Sequence, residues 1–205
     1  KLKLEYLRVA LKGLYGDILT LYYSDYVLPI AEWDAKHYWK RLGNSRKVKT
    51  IPYFISSDYL QSESNTANIR TNICVCVTAV LLNPLIIDAA RNFCDLVASL
   101  EDQLPDWRFV MTGNIDKLDF IPDRVEKVGM LDSLQKLLST AKVITILSDY
   151  GRGFKTKALE AINEGAYVMV TPGLYKRFPE EVKPYCLSIR KNSIDDFVHT
   201  LQSVE

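Results

Sequence analysis

The sequence predicts an α/β protein built on a doubly wound, Rossmann-like parallel sheet. Two observations carry that expectation. From residue 73 onward, short apolar runs such as 143–147 alternate with stretches of helical periodicity. A strand that is apolar on both sides is buried on both sides, as strands are in a parallel sheet covered by helices. In addition, Gly113, Gly129, Gly151, Gly153 and Gly173 fall at or just beyond the ends of those runs. Ligands of doubly wound sheets bind outside the carboxyl ends of the strands, so the five glycines mark one rim and suggest a cleft lined by backbone.

The elements follow in order. Leu4, Leu7, Leu11, Leu14, Ile18 and Leu21 recur at three/four spacing and predict an amphipathic helix over 1–21. A strand is expected over 25–30, a helix over 32–42 ending at Gly43, and a strand over 47–51 stopped by Pro52. Residues 61–72 are polar and without apolar period, which reads as a linker. Beyond it come a strand at 73–77, a helix at 86–100, and strands at 107–112 and 124–128. A short helix at 133–139, a strand at 143–147 and a helix at 155–163 follow. Strands at 167–170 and 185–189 and a helix at 194–203 complete the pattern. The domain organisation expected is therefore 1–60, a linker at 61–72, and 73–205.

With 205 residues, 48% of them hydrophobic, the chain can bury one large core, or one plus a fragment. It opens on Lys1 rather than Met, which reads as a piece of a longer polypeptide. The balance of 26 Lys and Arg against 25 Asp and Glu leaves no overall field to attract a nucleic acid, and any electrostatic selectivity must be local. No apolar run approaches the roughly 20 residues that span a bilayer, and no signal peptide is recognisable. Cys74, Cys76, Cys94 and Cys186 lie in or beside apolar segments without metal-ligand spacing, so buried, reduced thiols are expected, which favours the cytosol. His37 and His199 sit in charged helical contexts far apart in sequence and are expected to be structural.

The most chemically suggestive stretch is Asp149-Tyr150-Gly151-Arg152-Gly153-Phe154-Lys155-Thr156-Lys157-Ala158-Leu159-Glu160-Ala161. It joins the end of an apolar strand to the start of a helix through two glycines. The first N–H groups of a helix lack intrahelical partners and carry the positive end of the peptide dipoles, so an anion fits there. Arg152, Lys155 and Lys157 add full charges. An ordinary βα turn with solvated lysines is the plain alternative. On the helix, Phe154, Ala158, Ala161 and Ile162 form one apolar stripe for the sheet, leaving Thr156, Glu160 and Asn163 on another face. Glu160 lies five residues past Lys155, about 7 to 8 Å along a helix axis. A carboxylate that far from a bound phosphate could accept hydrogen bonds from ribose hydroxyls, or could simply pair with a surface lysine.

These residues resemble the donor-binding half of GT-B glycosyltransferases, especially the large family-four-like group. The strongest match runs from Gly151 through Lys155, Glu160, Gly165 and Tyr167 to Thr171, similar to that family's glycine loop, Lys-x-x-Glu-Ala helix, glycine and strand. Trp107 to Gly113, Val125 to Gly129 and Ala141 to Leu147 are similar to supporting strands. Residues 23–30 and 49–53 look like the last strand–helix–strand unit of the acceptor-side domain, most of which is absent.

The resemblance implies a nucleotide-sugar site. In it Arg152 and Lys155 are the catalytic cations on the diphosphate, Gly151, Gly153, Phe154 and Thr156 line the donor loop, Glu160 holds the ribose, and Gly129 and Met130 meet the base. It also implies sugar transfer to a glycan, lipid or protein acceptor in glycan or polysaccharide biosynthesis, retention of configuration and independence of metal. The nucleotide sugar is then substrate and no cofactor is needed. The fragment alone is expected to be inactive. Its setting would be cytoplasmic, including the inner face of the membrane, with any peripheral membrane contact made through the missing acceptor-side domain.

Two departures from that pattern stand in the sequence. Arg152 occupies the place where many relatives have a first carboxylate, although some carry a Gly-x-Gly-x-Lys-x-Lys loop there. No Lys or Arg lies between Thr71 and Ala90, where relatives grip the diphosphate. A degenerate domain that binds a nucleotide or a protein without catalysis therefore stays open beside the transferase, as does a sugar-nucleotide epimerase of the same architecture.

Overall fold

A computed structural model of the protein describes residues 2–53, 70–78, 84–148 and 155–204. The chain divides into two compact units, one holding the described residues 2–53 and the other the remainder.

The first unit opens with the expected helix, α1 (Leu2–Tyr23). Among the members of its apolar series whose burial is described, only Leu21 is buried, where it packs with Val27, Ala35 and Val48. Leu7, Leu11 and Ile18 are exposed, Leu11 by 56%. The helix expected over 32–42 is present as α2 (Glu32–Asp34), a wider π turn over Ala35–Trp39, and α3 (Lys40–Leu42). The wide turn is visible in the Lys40 N–H, which reaches back five residues to the Ala35 carbonyl. The strands expected at 25–30 and 47–51 contract to a single parallel bridge between Val27 and Val48, continued by the Ile51 N–H to the Pro29 carbonyl at 3.0 Å. Val27 and Val48 are buried while Leu28, Ile30 and Ile51 are exposed, so only the bridge has a core to face. Lys47 ties the end of α1 down: its Nζ donates to the carbonyls of Leu21, Tyr22 and Ser24 at 3.2, 3.1 and 2.7 Å. These are acceptors that a helix C-terminus leaves unpaired, at the end where a cation is favoured.

The second unit is a six-stranded, all-parallel sheet in the order β3-β2-β1-β4-β5-β6. Its strands are β1 (Thr71–Val77), β2 (Arg108–Thr112), β3 (Val125–Gly129), β4 (Ala141–Ile146), β5 (Tyr167–Val170) and β6 (Cys186–Ser188). The helices are α4 (Pro84–Ala98), α5 (Gln135–Thr140), α6 (Thr156–Asn163), α7 (Pro172–Tyr175) and α8 (Ile194–Ser203). The strand order first runs outward from β1 to β3, then returns to place β4 beside β1, so the topological switch point lies between β1 and β4.

Alternate residues of the strands serve two cores. Cys74, Cys76, Phe109, Met111, Val143 and Met169 join Phe93 and Cys94 of α4 and Phe197 and Leu201 of α8. Val75, Val110, Ile144 and Val168, also buried, occupy the opposite alternation. This double burial is what the continuous apolar runs predicted. Three differences stand out. β1 begins at Thr71, two residues inside the stretch that reads as linker, because Thr71 pairs with Ala141 of β4. The strand expected at 185–189 holds only Cys186–Ser188, preceded by a 3-10 turn over Lys183–Tyr185. α7 is an additional short helix that starts on Pro172, whose missing N–H costs nothing at the first position.

Candidate functional site

Because every strand is parallel, the carboxyl ends of β1 to β6 share one edge. Small polar side chains are buried along it: Thr78, Thr112, Ser148, Thr171, and Asn92 from α4. The threonine and asparagine donors go to main-chain carbonyls of neighbouring segments. Thr78 Oγ1 reaches the Thr112 carbonyl at 2.9 Å, Thr112 Oγ1 the Gly129 carbonyl at 2.7 Å, and Thr171 Oγ1 the Ser148 carbonyl at 3.2 Å. Asn92 Nδ2 donates to the Leu147 carbonyl at 3.1 Å, while its Oδ1 is buried without a hydrogen-bond partner among the described residues.

Of the three rim glycines among the described residues, two have conformations that demand glycine. Gly113 lies at φ +107°, and a Cβ there would come within 2.3 Å of Thr78 Oγ1 and 2.6 Å of the Thr78 carbonyl oxygen. Gly129 lies at φ +73°, the left-handed region that other residues enter only at a cost. Met130 follows it with 59% of its surface exposed. Gly173 sits in the helical turn of α7 and meets no such constraint.

On the other side of the switch point, α6 carries Lys155 as its cap residue and Thr156 as its first residue, with no acidic residue in its first turn. Ala158 and Ala161 are fully buried, as the apolar stripe predicts. Glu160, one turn past Thr156, has a side chain only 18% exposed and pairs with Lys157 Nζ at 2.9 Å. The carboxylate is thus held at the helix surface by a lysine that is itself half exposed.

Of the sequence-predicted site residues, Lys155, Thr156 and Glu160 therefore gather on α6, and Gly129 and Met130 at the end of β3. Gly151, Arg152, Gly153 and Phe154 lie outside the described residues. α6 follows β4, three strand spacings from β3 in the sheet, or about 14 Å.

Burial removes the thiols from the chemistry. It pushes Cys76 and Cys94 up to about 12 and Cys186 to about 11, and raises Cys74 well above the ordinary thiol value. Among the described residues no group of three or more His, Cys, Asp and Glu is placed to hold a metal ion, and no helix is long and apolar enough to cross a membrane. The buried threonines were not among the sequence-predicted residues. Thr112 and Thr171 each close an apolar run and Thr78 interrupts one, positions that do not set a hydroxyl apart from the start of a loop.

No family model and no curated protein matches the sequence. Solved structures do match in three dimensions. HepE from Anabaena in complex with UDP shares 13% identity at a TM-score of 0.63, over 90% of this chain and 55% of its own. TarM from S. aureus, in complex with UDP, fondaparinux and alpha-GlcNAc-glycerol, shares 15% identity at a TM-score of 0.66, over 91% of this chain and 38% of its own. A glycosyltransferase from Rickettsia africae shares 12% identity at a TM-score of 0.66, over 87% and 52%. The fold is of the GT-B type. The chain spans little more than half the length of the first of these GT-B structures.

Proposed function

We propose that the chain is mainly the donor-binding part of a glycosyltransferase, which moves a sugar from a nucleoside-diphosphate sugar to an acceptor hydroxyl. The observation that carries this reading is the placing of Lys155, Thr156 and Glu160 on one helix start, on the same sheet edge as the Gly129 turn. The GT-B neighbours solved with UDP and UDP-glucose support it.

In this reading the acceptor hydroxyl attacks the anomeric carbon as the bond to the diphosphate oxygen breaks. Negative charge then grows on the leaving diphosphate. Fixed N–H donors at the start of α6, with Arg152 and Lys155, stabilise that charge more than they stabilise the bound donor, which is what lowers the barrier. Thr156 and the Gly153 N–H add donors, Gly151 and Phe154 shape the loop, Glu160 accepts from the ribose hydroxyls, and Gly129 and Met130 meet the base. Residues 1–60 are then the end of an acceptor-side domain, joined through 61–72 to the donor domain at 73–205. That acceptor side would supply most of the surface for a glycan, lipid or protein acceptor, along with any membrane contact at the cytoplasmic face. The fragment alone would be inactive. The cations of the loop make transfer independent of metal, and the retaining outcome follows from the resemblance alone.

A second reading, nucleotide binding without transfer, is favoured by Arg152 in place of a carboxylate and by the lack of Lys or Arg between Thr71 and Ala90. Calorimetry with UDP, GDP and ADP tests the donor site. One of them should bind, and Glu160→Ala should weaken it by about tenfold or more, the worth of a charge-assisted hydrogen bond. Absence of heat with all three would remove the donor-site reading. Turnover by the full-length protein separates transfer from binding alone.

A further inference from the structure

We infer that Thr112 is a positioning residue of the nucleotide site, whose hydroxyl fixes the Gly129–Met130 turn against which the base lies. The inference rests on the nucleotide-sugar reading and adds to it a residue that does not itself touch the ligand.

β3 is the edge strand of the sheet and pairs with β2 alone. The pairing slips at its end. Met111 faces Lys127, but Thr112 faces Gly129, so Val128 has no opposite number. Such a bulge interrupts the ladder and frees the chain to turn, which Gly129 does at φ +73°. Beyond the bulge the ladder bond of the Thr112–Gly129 pair is joined by a second donor on the same carbonyl. Gly129 O accepts from the Gly113 N–H at 2.8 Å and from Thr112 Oγ1 at 2.7 Å.

Thr112 is itself held. It is buried, and its carbonyl accepts from both the N–H and the Oγ1 of Thr78, at 2.8 and 2.9 Å. Thr78 in turn occupies the space that a Cβ at Gly113 would need. The peptide leaving Gly129 is therefore aimed by a chain of contacts running back to β1, at the centre of the sheet. Two donors at nearly right distances define the plane of a carbonyl where one defines only its direction. Removing the hydroxyl leaves the carbonyl of a left-handed glycine at the end of an edge strand with one donor in place of two, freer to tilt and to carry Met130 with it.

Thr145 provides a matched control. It is equally buried, and its hydroxyl also donates to a neighbouring strand, to the Val75 carbonyl at 3.4 Å, but within the sheet and away from Gly129. The test compares Thr112→Val, Thr112→Ser and Thr145→Val for UDP affinity by calorimetry, with urea midpoints measured in parallel. Thr112→Val should weaken UDP about fivefold or more, Thr112→Ser should restore affinity to within about twofold, and Thr145→Val should leave it unchanged whatever its midpoint. Should the valine variant not fold, Thr112→Cys, which keeps the volume and donates only weakly, takes its place with the same expectation. Equal affinities for Thr112→Val and the wild type overturn the positioning role and leave the nucleotide site standing. A loss that follows the urea midpoint equally in Thr112→Val and Thr145→Val overturns it as well. Where the wild type binds GDP or ADP rather than UDP, that nucleotide is the probe; binding of none of the three overturns the nucleotide reading, and this inference with it.

Discussion

The two units use apolar residues in opposite ways. In the second, strands apolar on both sides lie between helices, and Phe93, Phe109 and Phe197 bury completely in a common cluster. Among the described residues, the first buries only Leu21, Val27, Ala35 and Val48 as a cluster, leaving Leu7, Leu11, Ile18, Leu28, Ile30 and Ile51 exposed. A helical period is thus sufficient to form α1 but does not tell what covers it. Continuous apolar strands carry more information, because each must find two covered faces.

The contrast can be broken by substitution. Phe109→Ala, which empties a site between Phe93 and Phe197 at centroid distances of 6.4 and 6.1 Å, should cost about 3–5 kcal/mol in urea unfolding. Leu11→Ala should change stability by less than about 0.5 kcal/mol. A loss at Leu11 comparable to that at Phe109 would mean that the apolar side of α1 is covered in solution. Next in size, Lys47→Met removes three hydrogen bonds from the end of α1 and should cost about 1–2 kcal/mol, read as faster amide exchange at the last turn of α1 and at Val27. Unchanged exchange there would show that the bridge, not the lysine, holds the first unit together.

The smallest effect belongs to the second unit. Arg190 donates through Nε and Nη2 to Asp196 at 2.9 and 2.7 Å, and its own N–H adds a third bond at 3.0 Å. These hydrogen bonds hold the Asp196 carboxyl below the ordinary carboxylate value. A depressed folded value makes the contribution complete above the ordinary carboxylate range and lost as pH falls toward the lowered one. Urea midpoints should therefore decline below about pH 4, and Arg190→Met should flatten that part of the decline. Equal slopes in the two proteins would leave the pair without a role in acid stability.

The sheet was legible in the sequence because burial on both faces leaves unbroken apolar runs. The strand at 167–170 and the helix at 194–203 fall where they were expected. The strands at 25–30 and 47–51 did not develop, since their composition matches a strand but only Val27 and Val48 find a core. The π turn over Ala35–Trp39 leaves the apolar period almost unchanged and so gives no sign of itself. At the candidate site, Gly113 and Gly129 could be read from their places after strands, and both have the positive φ that such places call for. The threonines could not be read by hydrophobic pattern, because a single hydroxyl at a strand end looks like the start of a loop. Only the carbonyls they meet, on segments distant in sequence, give them meaning.

The buried sulfurs have a practical consequence. With all four thiols buried and their protons held by desolvation, Cys74, Cys76, Cys94 and Cys186 present almost no thiolate at neutral pH to a maleimide or a fluorophore. A single cysteine introduced on the surface of the native protein, at Met130 for example, would then take one label without prior removal of the natural four. The turn beside the proposed base site could be watched by fluorescence in an otherwise unaltered chain.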